Sequence, residues 1–532
     1  MYAMNKYGQR ILFYLPFILI AVGIFLRLNH YLANRAFWLD EAWVALDLNH
    51  RSLLEIFTSE NYFKPVPIGF ALICKIFRYF LGNFEYAFRL FPFLASVASL
   101  FLYYQLLKRI ASFQTTLLAL GLFAFSESLI YYSAELKYYS SDVMVTLLLL
   151  LLAVILKQRG MKNVHMLLLA VAGSLALWIS HVTVFIFTSI VITLGFSYAF
   201  QKERKQLYKF LLIQSLWLVN FVIIYLVTFH QIEGYHGLKK MWEVGFWPMP
   251  VWSRESLVWL KDAFSGLFKD PAGLAFPGLG AFLFLLGIIH FFRRRRDVCI
   301  TFLLVIGLVL LASLLRKYPF TGRVLVFLIP IVLFFIAEGI AWITEQGRRN
   351  YILGILLTAL LFFYPIKNGL YYLRHPHVRE NIRPAMLYLK EHQQEGDVIY
   401  FNTSARYAYW YYLQYYHFTK SSRLEGVFTD ELVDGESGPF SYWFPVVSYH
   451  LNVMDYPLVE FLPGEVIQSA PKDFMRLTGQ QRVWILFTHC EPSLQKFILD
   501  GLRKTGKVID EFQSEGAALY LFDLRASGEK KF

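Results

Sequence analysis

Through the first 370 residues, apolar positions come in long blocks separated by short polar connections. Apolar runs lie near residues 10–28, 90–107, 113–131, 141–156, 165–180, 182–200, 210–229, 274–292, 299–315, 324–342 and 351–369. Most are about 16–20 residues long, close to the length a helix needs to cross roughly 30 Å of hydrocarbon. The pattern predicts a polytopic α-helical membrane domain over residues 1–370, with about 11 transmembrane helices. The first run, Ile11 to Leu26, follows Lys6 and Arg10 as a signal peptide would. It lacks a small-x-small cleavage site and is read as an uncleaved first helix.

The connections set the orientation. Lys108-Arg109, Lys157/Arg159/Lys162, Lys202/Arg204/Lys205/Lys209, Arg293 to Arg296 and Arg348-Arg349 fall in alternate connections. With eleven spans and a cytoplasmic N-terminus, every one of these clusters faces the cytoplasm, as the positive-inside rule requires. Val66 to Leu81 is apolar but short, contains Pro67, and carries Lys75 and Arg78 three residues apart. Counting it as a span would move Arg293–Arg296 outside, so it is expected to be an amphipathic helix on the outer interface. The first outer loop then covers about residues 29–89. A second, from His230 to about Pro271, carries Trp242, Trp247, Trp252 and Trp259. An interfacial aromatic belt is favoured there over a lid that stacks on lipid or sugar.

From Tyr371 the runs shorten, and residues 371–532 predict a soluble α/β domain on the extracytoplasmic side. Arg379 to Gln394 has helical spacing, and Asp397 to Phe401 reads as a buried strand. Ser404 is placed to cap a helix through Tyr416. Strands are expected at Val483–Phe487 and Ala518–Phe522, with a helix near Ser493 to Lys504 between them.

Composition agrees: 57% of residues are hydrophobic, 18% aromatic and only 17% charged. The formal charge of +13 would suggest nucleic acid in a soluble protein. Here the basic residues sit where membrane topology wants them, and no nucleic-acid partner is expected. Cys74, Cys299 and Cys490 have neither metal-ligand spacing nor the number for a disulfide framework.

Polar chemistry gathers at the outer ends of the runs. Asp40-Glu41 follows the first run, Phe63-Lys64-Pro65 comes later in the same loop, and Arg89 opens the second run. The stretch Tyr132-Ser133-Ala134-Glu135-Leu136-Lys137-Tyr138-Tyr139-Ser140-Ser141-Asp142 joins two apolar runs. Were 135–142 helical, Glu135, Tyr138/Tyr139 and Asp142 would share one face over about 10 Å, with Lys137 turned toward Ser141. Each signal has an ordinary reading too: Asp40-Glu41 as a helix N-terminus, Lys64 as a snorkelling residue, His181 as a helix-end polar group. Glu135 and Asp142 weigh more, because carboxylates at the edge of an apolar run are costly. Asn402-Thr403-Ser404 has the form of a glycosylation sequon but abuts a strand, and is discounted.

Together, Asp40-Glu41, Phe63-Lys64-Pro65, the Tyr132–Asp142 stretch and Arg323 in Tyr318-Pro319-Phe320-Thr321-Gly322-Arg323 resemble the polytopic glycosyltransferases of the GT-C fold. The protein O-mannosyltransferase-like family (glycosyltransferase family 39) and the aminoarabinose transferases of lipid A are the nearest in pattern. The resemblance covers most of the membrane region and is weak over the C-terminal domain. It implies a membrane enzyme that takes a sugar from a polyprenyl-phosphate donor. The sugar passes, with inversion, to the hydroxyl of a glycan, lipid or protein acceptor at the outer face of the cytoplasmic membrane.

Under that resemblance Asp40, with Glu41 beside it, is the candidate base for the attacking hydroxyl. Lys64, Arg89 and Arg323 are candidates for the leaving phosphate. Glu135, Lys137, Tyr139 and Asp142 would position substrate. No cofactor is required, although a divalent ion has room; Phe63 stands where the lipid A transferases have an acidic ligand, and metal ligands stay unassigned. Two other classes compete. A transporter or flippase fits less well, since the charges gather at one membrane face and the halves show no repeat. A non-catalytic sensor with a binding domain would leave the Asp40/Lys64 loop unexplained.

Overall fold

A computed structural model describes residues 6–58, 66–82, 84–160, 162–200, 204–229, 242–416, 423–424, 477 and 479–525. Helices are α1 (Lys6–Leu32), α2 (Leu39–His50), α3 (Glu55–Thr58), α4 (Ile68–Leu81), α5 (Glu85–Ile110), α6 (Phe113–Phe125), α7 (Glu127–Tyr131), α8 (Tyr139–Arg159), α9 (Asn163–Ile179), α10 (Thr183–Phe200) and α11 (Arg204–Ile224). There follow α12 (Arg254–Lys269), α13 (Pro277–Arg294), α14 (Arg296–Leu314), α15 (Ile329–Glu345), α16 (Arg348–Arg374), α17 (Ile382–His392), α18 (Arg406–Tyr415) and α19 (Pro492–Thr505). The strands are β1 (Val398–Phe401), β2 (Arg423–Leu424), β3 (Val483–Thr488), β4 (Lys507–Ser514) and β5 (Ala517–Asp523).

The chain forms two compact units, one of Met1–Ala33 and Pro65–Pro376, the other of Asn34–Lys64 and His377–Phe532. The expected boundary near residue 370 therefore captures only part of the division. The segment carrying Asp40-Glu41 belongs with the C-terminal unit, not with the helices that flank it in sequence.

Within the first unit every expected apolar run is helical. Among the described residues nine helices are long and apolar enough to cross a membrane, and ten if the pair Phe113–Phe125 and Glu127–Ala134, bent by 54°, counts as one span. The eleventh run is the shorter apolar helix Asn163–Ile179. Leu212, Leu218, Phe200, Phe363 and Leu356 lie exposed on these helices, as lipid-facing side chains do. The protein is a multi-span membrane protein. Helix α4, of 14 residues, is about 21 Å long and too short to cross. It buries Ile68, Phe70, Ala71 and Cys74 and leaves Tyr79 and Phe80 exposed.

Two features hold the helical core together. Helices α13 and α15 touch backbone to backbone: a Cβ on Gly287 would lie 1.8 Å from the Phe335 oxygen, and one on Gly339 would lie 2.1 Å from the Leu283 oxygen. Small residues permit that approach where lipid removes the hydrophobic drive for association. At the break between α6 and α7, the fully buried Arg27 donates to the carbonyls of Ala124 (3.1 Å) and Phe123 (3.2 Å), to Gly23 O (3.0 Å) and to Ser96 Oγ (2.8 Å). Carbonyls freed by a broken helix need such donors in an apolar setting.

In the second unit a five-stranded sheet runs in the order β2-β1-β3-β5-β4. β1 pairs in parallel with β2 and β3, while β3–β5 and β4–β5 are antiparallel. The expected strands at Asp397–Phe401, Val483–Phe487 and Ala518–Phe522, and the helix near Ser493–Lys504, are all present. β4 has no counterpart in the sequence reading. It is an edge strand with alternating exposure, pinned on one side only. Ser404 does not cap α18; it lies in a 3-10 turn, Thr403–Ala405, and the helix begins after Ala405 with no side-chain cap. Asn402, of the discounted sequon, is buried and exchanges hydrogen bonds with the Thr488 backbone (2.9 and 3.1 Å).

Candidate active site

In the membrane unit a group of buried acidic and basic residues lies around the N-terminal ends of α5 and α8, while Arg27 and Glu338 are buried elsewhere. Glu85 and Arg89 occupy the first turns of α5, and both are buried. Glu135 and Lys137 lie between the 3-10 turn Tyr132–Ala134 and α8, also buried. Asp142 is in the first turn of α8 and is 1% exposed. Three acidic and two basic side chains are thus held out of water, an expensive arrangement that makes this region the candidate site.

The expected helical face across 135–142 does not form. Glu135 is extended (φ −126°, ψ 135°), Lys137 N–H donates to Glu135 O at 2.7 Å, and the helix begins at Tyr139. Serine hydroxyls compete for the backbone here: Ser140 donates to Tyr132 O (2.8 Å) and Ser141 to Tyr138 O (2.7 Å). Glu135 and Lys137 therefore sit on an irregular turn, and Asp142 alone uses the helix. Lys137 is buried. Tyr139 is buried and packs edge-on against Tyr132, ring centroids 4.8 Å apart.

Asp142 has a partner that the sequence did not announce. Ser180, in the short link between α9 and α10, donates to Asp142 Oδ1 at 2.6 Å. The adjacent His181 ring lies 6.0 Å from that of Tyr138, which also meets Phe70 of α4 at 6.3 Å. Tyr318 belongs to the same neighbourhood. Burial, with the nearby Asp142 and Tyr138, raises its phenol well above the usual value, and its hydroxyl donates to Val324 O at 2.8 Å. Arg323, on the same segment, places its guanidinium 5.7 Å from the Trp242 ring centroid. One tryptophan of the 230–271 connection thus contacts a candidate phosphate ligand. Two others, Trp247 and Trp259, stack on each other at 5.7 Å.

Asp40 and Glu41 open α2 in the second unit. Glu41 is fully buried, whereas Asp40 is only partly so, which favours Asp40 as the group that meets a ligand. The helix is held against the C-terminal residues. Phe37 N–H donates to the Tyr412 hydroxyl (2.8 Å), Trp43 stacks on Tyr407 (5.6 Å), and Leu39 N–H reaches Glu380 Oε2 (3.4 Å). The buried Glu380 also takes His489 Nδ1 at 2.5 Å, and Arg379 lies 4.5 Å over the Trp38 ring. That hydrogen bond with Glu380, and the charge of Asp40 nearby, hold the His489 imidazole above its usual pKa. Glu380, His489, Arg379 and Ser180 were not among the candidate site residues read from the sequence. Lys64 and the Phe63–Pro65 motif lie outside the described residues. No three His, Cys, Asp or Glu side chains form a metal-holding group among the described residues.

With that geometry in hand, known structures can be compared. The chain aligns over 95% of its length with 97% of apo ArnT from Cupriavidus metallidurans, at a TM-score of 0.50 and 11% identity. The same protein bound to undecaprenyl phosphate aligns over 97% of this chain and 98% of its own, again at 0.50 and 11%. The oligosaccharyltransferase AglB from Archaeoglobus fulgidus, in complex with an inhibitory peptide and a dolichol-phosphate, aligns over 97% of this chain and 74% of its own, at 0.50 and 11%. The fold is GT-C. In two other structures of the Archaeoglobus oligosaccharyltransferase the chain spans 60% and 63% of that protein's length. No family model matches the sequence, and no curated protein matches it.

Proposed function

We propose that this protein is an inverting glycosyltransferase that moves a sugar from a polyprenyl-phosphate donor to an acceptor hydroxyl. The reaction would take place at the outer face of the cytoplasmic membrane, with the N-terminus inside and the C-terminal unit outside. One observation carries the reading: a GT-C fold over nearly the whole chain buries Glu85, Arg89, Glu135, Lys137 and Asp142 around one pair of helix ends. Such charges are hard to explain in a scaffold without chemistry to perform.

The roles follow from chemistry. An attacking hydroxyl gains from a base near its oxygen, and Asp40 is assigned that task, with Glu41 as its buried neighbour. The leaving group is a phosphate monoester, so it needs positive charge more than a proton. Arg89, Lys64 and Arg323 are assigned to it, the arginines able to bind in a fork and the lysine as a point charge. Glu135, Lys137, Tyr139 and Asp142 are assigned to hold the substrate, with Ser180 fixing the Asp142 carboxylate. The described carboxylates and histidines do not group as a metal site would require, and no step here runs through a metal.

Native mass spectrometry of the detergent-purified protein, wild type beside Lys64→Ala and Arg89→Ala, tests the donor assignment. A polyprenyl phosphate retained by the wild type and lost in either variant is the expected result. Absence of any such lipid while other lipids stay bound would refute the reading and turn attention to a transporter or sensor. For the base, Asp40→Asn is expected to abolish transfer with membrane insertion intact.

A further inference from the structure

We infer that the C-terminal unit takes part in the reaction through Glu380 and His489, which act as a positioning pair for Asp40. This rests on the glycosyl-transfer reading and gives the C-terminal unit a defined task.

The geometry lies wholly within one unit. Glu380 is 3% exposed and uses both carboxylate oxygens, Oε1 toward His489 Nδ1 at 2.5 Å and Oε2 toward Leu39 N–H at 3.4 Å. A single buried side chain thereby links the residue before Asp40 to the imidazole. The Trp38 ring, two residues before Asp40, lies 5.9 Å from the His489 ring and is covered on its side by Arg379 at 4.5 Å. His489 itself has φ +47°, a left-handed backbone that few residues adopt without cause. It follows directly on β3, so the sheet fixes where the imidazole is delivered.

The charges that face His489 are Glu380, Asp40 and Arg379. The hydrogen bond with Glu380 and the two negative charges favour the protonated imidazole and raise its pKa. An imidazolium beside Asp40 would favour the ionised carboxylate, the state a base needs, and Glu380 meets the Leu39 N–H at the first residue of α2. The sequence hides this arrangement because residues 39, 380 and 489 share no local motif.

The test is a pH–rate profile of sugar transfer from a polyprenyl-phosphate sugar to acceptor, for the full-length protein and its His489→Asn and His489→Lys variants. Asparagine tolerates the left-handed backbone, so His489→Asn removes charge with little strain. It is expected to lower kcat about tenfold with the donor KM unchanged, and to move the acidic limb up by about one pH unit as Asp40 loses its neighbouring cation. His489→Lys restores the charge and should restore the limb. An acidic limb and kcat identical to wild type in His489→Asn would overturn the proposal. If the wild type transfers no sugar from any polyprenyl-phosphate donor, the glycosyl-transfer reading falls. The pairing is then decided by a double-mutant cycle of Asp40→Asn and His489→Asn on the thermal midpoint at pH 6. A double variant that loses clearly less than the sum of the singles upholds the coupling, and strict additivity refutes it.

Discussion

Arg27 and Ala124, 97 residues apart, meet where the third apolar run breaks: the buried guanidinium donates to the carbonyl at 3.1 Å just before the chain bends by 54°. The bend leads through α7 into the turn that carries Glu135 and Lys137. Arg27 thus holds the foundation of the candidate site without belonging to it. Replacing it by methionine keeps length and apolar stem but strands the carbonyls of Phe123 and Ala124. Arg27→Met is expected to destabilise the folded protein by about 3 kcal/mol. Unfolding of the detergent-solubilised protein measures this, and a loss below about 0.5 kcal/mol would show the bonds to be incidental.

Ser180 and Asp142 make the second prediction. The 2.6 Å bond orients a buried carboxylate from outside its own helix. Under the proposed function, Asp142→Asn is expected to lower kcat/KM for transfer about 100-fold, and Ser180→Ala about fivefold, through a carboxylate left free to turn. The two losses should not add in the double variant. Wild-type kinetics in both single variants would remove Asp142 from the site.

How much of this was legible differs sharply between the two units. All eleven apolar runs became helical, the third as the bent pair α6 and α7, because span length and apolar character act locally, without help from distant residues. The turn at 135–138 was not legible, since the same residues satisfy a helical pattern. Only the hydroxyls of Ser140 and Ser141, bonded to Tyr132 O and Tyr138 O, show why the helix starts late. Strand β4 escaped because it is half exposed, so its pattern carries little burial. The place of Asp40 was least legible of all. Phe37 N–H finds its acceptor on Tyr412, 375 residues away, and the aromatic run of α18 reads equally well as an interfacial stripe. Carboxylates and cations could be picked out as costly, yet their partners Ser180, Glu380 and His489 are ordinary residues in ordinary local contexts.

The contact between α13 and α15 gives a stability test independent of activity. Gly287 and Gly339 face each other's backbones, so a methyl at either forces the helices apart along their length. Gly339→Ala and Gly287→Ala are each expected to lower stability by about 2 kcal/mol, despite the better helix propensity of alanine. At Gly278, where an added Cβ meets nothing within 4 Å, alanine should be tolerated. A thermal-shift comparison of the three variants in detergent settles the matter; equal midpoints would mean the helices pass farther apart.

The pairing of His489 with Glu380 also sets how the C-terminal unit responds to pH. The imidazole's folded pKa is raised above 6.5, first by its hydrogen bond with Glu380 and then by the nearby charges of Glu380 and Asp40. Folding therefore favours the protonated form. The stabilisation is complete below about pH 6.5 and is lost as pH rises through the folded value, where the unfolded chain has already released its proton. Protection of α2 against hydrogen exchange in the full-length protein should accordingly fall between the unfolded and folded pKa of His489. In His489→Asn that step should vanish while the rest of the profile stays. A wild-type profile that is flat above pH 6.5 would show that the imidazole is neutral in the folded unit and makes no ionic contribution to holding α2.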